Sequence, residues 1–443
     1  MSRKDEARRA ACEVFFDGVD ITKSLRPYLR ALTFTDSEED ETDDLQIDIE
    51  DRDGVWLTQW LIEAANSAVS DGEAGAQAGE SGEAYTVSAD TALNVRSGPG
   101  MSYGVVNWLA HGDEVSVLSI DGGWAKISLN GQEAYVSAAY IEPKTDSAGG
   151  SDEQEDTGKA SKGLRISASI LRENYESDGM DVMLDCGFFE LDSISASGPP
   201  SEISIKATSI PYVTQIRQEK KSQAWEGYNL SGIAAEIAGR GGMGYMYESA
   251  NNPYYDRVEQ ITQSDIAFLQ QLCHDAGISL KATNNILVLF DQREFEQKDP
   301  ILKIKRGDGS YDNYSLESGQ ANSLYTSCRV YYTTPDGSVI EGTAEAESSD
   351  SDADTEQKLE IYAKVDSADQ AKQLAKNYLR LYNKFECTAS FSMYGTPEAM
   401  SGLTVELEDF GMWDGKYIIS TATHRLDSSG YKTDIDLRRV LNT

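Results

Sequence analysis

The stretch Leu29–Asp53, LRALTFTDSEEDETDDLQIDIEDRD, contains two runs in which apolar and polar residues alternate. In the second run, Leu45, Ile47 and Ile49 point to one side, and the polar residues between them point to the other. A period of two predicts a half-buried β-strand. The acidic DSEEDETDD between the runs is interpreted as a solvated turn. A calcium site is the alternative, although the spacing of its carboxylates fits no known calcium loop.

Strand patterns of this kind resume after the first third of the chain and return near its end. The segments LRISASILREN, DVMLDCGFFELDSISASG and SEISIKATSI carry them first, and CTASFSMYG and LTVELEDFG carry them later. Short strands bounded by Gly, Pro, Asn and Ser are typical of all-β domains. Most of the chain is therefore expected to be β-sheet.

Apolar residues at helical spacing predict three helices between these strands. The first lies in NLSGIAAEIAGRGG, with Gly239 as its stop, and the second is capped by Ser264 and ended by Gly277. A hairpin through ATNN follows the second helix. The third helix lies in SADQAKQLAKNYLRLYNKF. The predicted fold class is α+β, mainly β.

The composition argues against several classes of function. The 75 acidic residues against 39 basic ones give a formal net charge of −36, whereas a nucleic-acid-binding protein needs a basic face. Five well-separated cysteines without a CxxC pair are typical of reduced thiols. The N-terminal stretch lacks the apolar run of a signal peptide, and no segment approaches the ~20 apolar residues of a membrane helix. We expect a protein made in the bacterial cytoplasm, with no membrane-spanning segment.

Two low-complexity stretches divide the chain. Residues 65–83 and 144–161 are rich in glycine, alanine, serine and acidic residues and contain almost no large apolar side chains. Such a composition predicts flexible linkers, because it cannot offset the entropy lost on ordering. The segment 84–143 between them is long enough for a small domain. The sequence therefore predicts a guest module, here called the insert, within a larger host that forms the rest of the chain.

No catalytic or metal-binding constellation emerges from the sequence. His111, His274 and His424 are far apart and match no metal-ligand spacing. Cys273 and His274 are neighbours on a predicted helix, where they point about 100° apart, so a structural role is favoured over a catalytic pair. GRGGMG at 239–244 follows a helix and lacks the Lys-Ser/Thr of a phosphate loop, which favours a turn. We predict no cofactor, no metal site and no enzymatic activity.

The insert resembles the bacterial SH3-like domains. The motifs LNVRSGPG, YGVV, GDEVSVL and GGWAKISLNGQEAYVSAAYI follow one another in the order and spacing of that family. The resemblance implies a small all-β barrel and, in many members, a groove that binds peptidoglycan. The residues predicted to fill the barrel are Leu93, Val95, Val105, Val106, Val115, Val117, Ile127 and Val136. The candidate ligand-binding residues are Asn94, Arg96, Tyr103, Trp124, Tyr135 and Tyr140; the alternative is that they only complete the barrel.

The host resembles the phage late control gene D family, the baseplate hub proteins of contractile tails, which are related to the hub domains of type VI secretion spikes. FFDGVDITKSLRPYLRALTFTDSEEDETDDLQIDIEDRDGVWLTQWL and, above all, NNPYYDRVEQITQSDIAFLQQLCHDAGISLKATNNILVLFD carry the resemblance. It implies two tube-like β-barrel domains with a mixed helical domain between them. The corresponding ranges are 8–64 with 162–211 for a discontinuous first barrel, 212–300 for the mixed α/β middle domain and 301–443 for the second barrel.

The hub resemblance also implies a function and partners. Such proteins form homotrimers, whose six barrels match a sixfold tail tube above a threefold spike. The implied partners are a tail tube or tube-initiator protein, a spike protein and a tape measure protein. Baseplate wedge proteins and peptidoglycan are further candidate partners, which the insert would bind. The particle is a phage tail or a tail-like bacteriocin (tailocin). Two alternatives stay open: a wall-targeted lytic enzyme anchored by the insert, and an insert that docks another baseplate protein.

Overall fold

A computed structural model describes most of the host and much of the insert. The described residues are 8–54, 56, 83–88, 93–96, 98–100, 103, 105–109, 114–129, 132–143, 164–175, 181–209, 216, 219–319, 325–346 and 357–441. The predicted linkers 65–83 and 144–161 lie outside them, except Glu83, which starts a strand. The described part is mainly β-sheet with fewer helices, as predicted.

The first barrel range and the insert contribute fourteen strands and one short helix among the described residues. The host elements are β1 (Arg9–Phe16), β2 (Val19–Asp20), α1 (Thr22–Leu25), β3 (Leu29–Ser37), β4 (Asp44–Glu50), β12 (Arg165–Glu173), β13 (Val182–Ser197) and β14 (Glu202–Thr208). The insert elements are β5 (Glu83–Val87), β6 (Leu93–Arg96), β7 (Val105–Leu109), β8 (Glu114–Asp121), β9 (Trp124–Leu129), β10 (Gln132–Ser137), a 3₁₀ turn (Ala138–Tyr140) and β11 (Ile141–Pro143).

The remaining elements alternate between strands and helices before the chain returns to strands. The middle range holds β15 (Lys221–Asn229), α2 (Leu230–Arg240), β16 (Gly244–Glu248), β17 (Tyr254–Gln263), α3 (Asp265–Ala276), β18 (Ser279–Thr283), β19 (Ile286–Phe290) and α4 (Gln292–Glu296). The last range holds β20 (Leu302–Lys305), β21 (Tyr311–Ser318), β22 (Ser327–Thr333), β23 (Val339–Glu345), β24 (Lys358–Tyr362), α5 (Ala368–Asn383), β25 (Cys387–Tyr394), β26 (Thr404–Glu408), a 3₁₀ turn (Gly411–Trp413), β27 (Gly415–Asp427) and β28 (Gly430–Arg439).

Thirteen host strands form one sheet, here called the main sheet. Its order is β2-β1-β12-β13-β14-β4-β3-β27-β28-β25-β21, and β26 pairs with both β27 and β20. Strands on either side of the insert in sequence are neighbours in space, since β1 pairs with β12 and β4 with β14. Leu45, Ile47 and Ile49 of β4 are buried, which confirms the alternation seen in the sequence.

The two ranges predicted to form barrels share one sheet. Strand β3 from the first barrel range pairs antiparallel with β27 from the second, from Ala31 opposite Asp427 to Ser37 opposite Thr421. The described strands of both ranges therefore run on as one sheet, and barrel closure is not detected among them. The pairing could not be read from the sequence, because nearly the whole chain separates the two strands.

Local sequence signals correctly predicted helices α2 and α3 of the middle range. The Ser264 side chain accepts a hydrogen bond from Ala267 N at 3.3 Å, and Gly277 ends α3 in the left-handed conformation with φ 69°. Asn284 and Asn285 form the predicted turn between β18 and β19, both with positive φ. Helix α2 continues past the predicted stop to Arg240, because a glycine lowers helix propensity without forbidding the helical conformation.

The acidic segment Asp36–Asp44 is not the solvated turn that the sequence predicted. Asp36 is 1% exposed and Asp43 is 3% exposed. The Lys281 ammonium of β18 contacts the Asp36 carboxylate and lies 3.5 Å from that of Asp43. Asp40 pairs with His274 of α3 at 2.9 Å. Buried carboxylates need such partners, and the middle range supplies them.

The same segment also reaches the last strand of the main sheet. Arg438 is fully buried, and its guanidinium donates to both carboxylate oxygens of Glu38, at 2.7 and 3.0 Å. A further nitrogen donates to Glu296 at 2.7 Å, and Glu296 also pairs with Arg380 at the end of α5. The acidic segment thus joins elements from all three host ranges through buried ion pairs.

Candidate functional site

The insert is a seven-stranded sheet with its own core. The strand order is β11-β5-β8-β9-β10-β6-β7. Six of the eight residues predicted to fill it are buried: Leu93, Val95, Val115, Val117, Ile127 and Val136. The side chains of the other two, Val105 and Val106, lie outside the described set. Alternation places the intervening residues of β6, β9 and β10 on the outer face, which is where the candidate ligand-binding residues fall.

Two pairs of candidate residues lie side by side on this outer face. Arg96 of β6 is directly opposite Tyr135 of β10. Trp124 of β9 is opposite Ser137, which is two residues from Tyr135 on the same strand. Diagonal neighbours of this kind are about 7–8 Å apart, within reach of aromatic side chains. Trp124 and Tyr135 are both half-buried, so part of each ring faces solvent.

Arg96 also orders the loop that follows β6. Its guanidinium donates to the Tyr103 carbonyl at 2.8 Å. The Tyr103 ring covers Gly98, where a β-carbon would come within 2.3 Å of the ring, so a larger residue would displace the tyrosine. Tyr103 nevertheless remains 46% exposed. The positive charge of Arg96 also acts on the host carboxylate Asp185, a neighbour that could not be predicted from the sequence.

The other two candidate residues lie further along the outer surface. Asn94 is exposed two residues before Arg96, on the same side of β6. Tyr140 ends the 3₁₀ turn after β10 and is 51% exposed. Ala138 N, at the start of that turn, donates to Gly123 O just before Trp124, at 3.0 Å. The insert therefore presents several exposed or half-exposed aromatic rings with an amide, a combination that suits a glycan or a short peptide.

Several thiol and imidazole groups in the described part of the chain are buried or paired with neighbouring groups. Burial raises the pKa of the thiols of Cys12 and Cys328 to about 11 and also raises the pKa of Cys273. His274 pairs with Asp40, and His424 is buried against Tyr431 and the Ala399 carbonyl. His111 lies outside the described residues. The burial of Cys273 and the pairing of His274 with Asp40 are compatible with the structural role that the sequence favoured for both residues.

The described residues hold no cluster of three or more histidine, cysteine, aspartate or glutamate side chains that could bind a metal ion. None of their helices is long and apolar enough to cross a membrane.

Comparison with solved structures identifies the fold. The prophage MuSo2 43 kDa tail protein from Shewanella oneidensis superposes with a TM-score of 0.55, covering 97% of this chain and 98% of that one at 11% identity. The tail protein from Neisseria meningitidis MC58 superposes with a TM-score of 0.57, covering 97% of both chains at 10% identity. The host has a phage tail protein fold. The predicted resemblance to tail proteins is confirmed at this level.

Comparison of sequences adds to this at the level of segments. Residues 91–142 match the bacterial SH3 domain family, which confirms the resemblance predicted for the insert, and residues 259–438 match a family described as YQBQ-like. A Bacillus subtilis (strain 168) protein named "Putative N-acetylmuramoyl-L-alanine amidase YrvJ" is 34% identical over 143 residues, or 31% of this chain. The chain spans about a quarter of that relative, since the match covers 26% of it.

Proposed function

We propose that this chain is a structural hub of a contractile-tail baseplate, of the late control gene D type. It would act as a homotrimer that joins a sixfold tail tube, directly or through a tube initiator, to a threefold spike. The tape measure protein would bind this trimer with one of its ends. The main support is the tail protein fold, which extends over 97% of the chain in two structures. The particle is either a phage or a tailocin.

The buried ion pairs of Arg438 support a structural role in the baseplate. Arg438, Glu38 and Glu296 connect the last strand, the acidic segment and the end of the middle range. Breaking such a buried pair is costly, because it leaves an unpaired charge away from water. The three host ranges are thus coupled into one body, which suits a part that is driven through a cell envelope.

The position of the chain in a particle tests the hub proposal. Particles from the producing strain are labelled with gold-conjugated antibody against this chain and imaged by electron microscopy. We expect label at the baseplate end of the tail. Label on the capsid, or particles that carry none of this chain, would contradict the proposal.

For the insert we propose peptidoglycan binding through its outer face. The exposed Tyr140 and Tyr103, together with Trp124 and Tyr135, provide flat apolar surfaces against which a glycan or stem peptide can pack. The similarity to the amidase named above is compatible with a shared wall-targeting domain. It also favours, as a second candidate function, a wall-targeted lytic enzyme.

Co-sedimentation of the full chain with purified peptidoglycan tests wall binding. We expect the wild type to sediment and the Trp124→Ala/Tyr140→Ala variant to lose at least tenfold in affinity. Tyr245→Ala, at a host tyrosine that is 42% exposed, is the matched control and should bind as the wild type does. No binding by the wild type would favour a docking role toward another baseplate protein. Clearing of walls in a zymogram would favour the lytic enzyme.

A further inference from the structure

The outer face of the main sheet is unexpectedly apolar beside the insert. Val14 and Phe16 of β1 belong to the host core, so Phe15 between them points to the opposite face. Phe15 is opposite Ser167 of β12, which is opposite Phe188 of β13. Adjacent strands are about 4.8 Å apart. Phe15, Ser167 and Phe188 therefore form one row across three strands, here called the seat row.

The seat row is covered. Ser167 is 4% exposed and Phe188 is 8% exposed. In β12, every residue from Ile166 to Ile170 is buried, without the alternation of a strand that faces water on one side. Continuous burial is typical of strands that are packed on both faces. A second layer must therefore lie over this part of the main sheet.

The insert contributes to that layer, together with Asn284 of the host, whose Oδ1 accepts from Phe188 N at 3.0 Å. Strand β7 contacts β12 and β13, and Phe15 packs against the hydrophobic core of the insert. Strand β7 is also the last strand in the order of the insert's sheet. A terminal strand has unpaired backbone groups on one side, which proteins usually cover or protect. The contact with the host places β7, an edge strand, beside β12 and β13.

Charge complementarity accompanies the apolar contact. The row next to the seat row consists of Glu13, Ser169 and Asp185, so two carboxylates flank a small serine. Arg96 lies at the end of β6, opposite Val105 of β7. Asp185 keeps contact with solvent, but the surrounding protein raises the pKa of its carboxyl by desolvation, and the charge of Arg96 opposes that rise. Since β7, the partner strand of β6, contacts β12 and β13, the charge of Arg96 acts close to the acidic row.

We propose that the outer face of β1, β12 and β13 is a dedicated docking surface for the insert, in which the seat row receives β7 and Asp185 faces Arg96. The insert is thereby held at one position on the host, independently of linker length. Arg96 belongs to this contact, while Asn94, Tyr103 and Tyr140 remain exposed for a ligand. The insert thus presents its outer face from a fixed position on the host.

Hydrogen–deuterium exchange of the full chain tests the docking surface. The seat variant is Phe15→Ser/Asp185→Asn; asparagine retains the Oδ1 atom that accepts from Gly187 N at 3.0 Å and removes only the charge. The control is Phe385→Ser/Asp192→Asn, at an exposed host phenylalanine and at an exposed aspartate on β13. We expect exchange in β7 to accelerate at least tenfold in the seat variant alone, with β9 and β12 unchanged.

Small-angle scattering on the same samples provides an independent readout. Undocking of the insert should increase the maximum dimension of the seat variant. The control should have the same maximum dimension as the wild type. If exchange accelerates throughout the insert, the single variant Asp185→Asn is measured instead. Because Asp185 lies outside the insert, this substitution should still accelerate exchange in β7 selectively. Equal exchange in β7 and equal scattering in the wild type and the seat variant would overturn the proposal.

Discussion

Single residues show what a linear pattern can and cannot reveal. The alternation around Ile47 correctly predicted which side chains of β4 are buried. The same reasoning misread the acidic segment, because Glu38 and its partner Arg438 are 400 positions apart. The doublets Phe15–Phe16 and Phe188–Phe189 did carry a signal, since adjacent aromatic residues in a strand place one ring on each face. That signal was available in the sequence and points to the seat row.

Removing the buried guanidinium should destabilise the whole protein. Arg438→Met leaves Glu38 and Glu296 buried without their shared cation. Breaking a buried pair in this way costs about 3–5 kcal/mol, and chemical denaturation at neutral pH measures it. Lys432→Met, which breaks an exposed pair with Asp312, is the control and should change the free energy of unfolding very little. Comparable stability of both variants would show that the ion pairs of Arg438 are not coupled as described.

The buried His424 should make the protein sensitive to acid. Burial lowers the pKa of His424 to about 4, whereas the unfolded chain has a value near 6.5. Above pH 6.5 both states are neutral, and as the pH falls toward 4 only the unfolded state gains the proton. The free energy of unfolding should therefore fall by about 2–3 kcal/mol between pH 7 and 4.5 on account of this residue.

Comparison with His424→Asn isolates this contribution. Asparagine does not titrate, so the variant should be less stable than the wild type at pH 7 and should lose less stability on acidification. The measurement is the free energy of unfolding of both proteins at pH 7 and 4.5. An identical pH dependence would mean that the pKa of His424 is the same in the folded and the unfolded protein, which would contradict the effect of burial.

Elements were predicted best where the signal was local. The caps Ser264 and Gly277 correctly predicted where α3 begins and ends, because each acts on backbone groups within its own turn. The packing of α5 on β22–β24 could not be predicted in the same way. Gly342 of β23 lies so close to α5 that a β-carbon would come within 2.2 Å of Lys372 N. The need for glycine there arises only from the tertiary contact.

Two glycine substitutions should therefore have opposite effects. Gly342→Ala must push α5 away from the sheet and should cost about 1–3 kcal/mol, the usual range for overpacking. Gly239→Ala in α2 meets no atom within 4 Å and should stabilise by about 0.5–1 kcal/mol through helix propensity. Thermal unfolding of both variants measures the contrast. A neutral Gly342→Ala would show that α5 does not pack as closely as described.

For the whole molecule, the resemblance to tail proteins predicted the fold, while the arrangement of its parts had to be observed. The quoted host motifs pointed to the tail protein fold that two structures share over 97% of the chain. They did not reveal that β3 and β27 join both predicted barrels into one sheet. For the insert, core positions followed from alternation, but the neighbourhood of Arg96 and Asp185 depends on how the insert lies on the host.

The central claim is that this chain is a trimeric hub, and native mass spectrometry of the full chain at high concentration tests it most directly. The account predicts a dominant species of three chains, which dissociates on dilution without passing through a stable dimer. A hub needs this state to present threefold symmetry to a spike. A chain that stays monomeric over the whole concentration range would contradict the account.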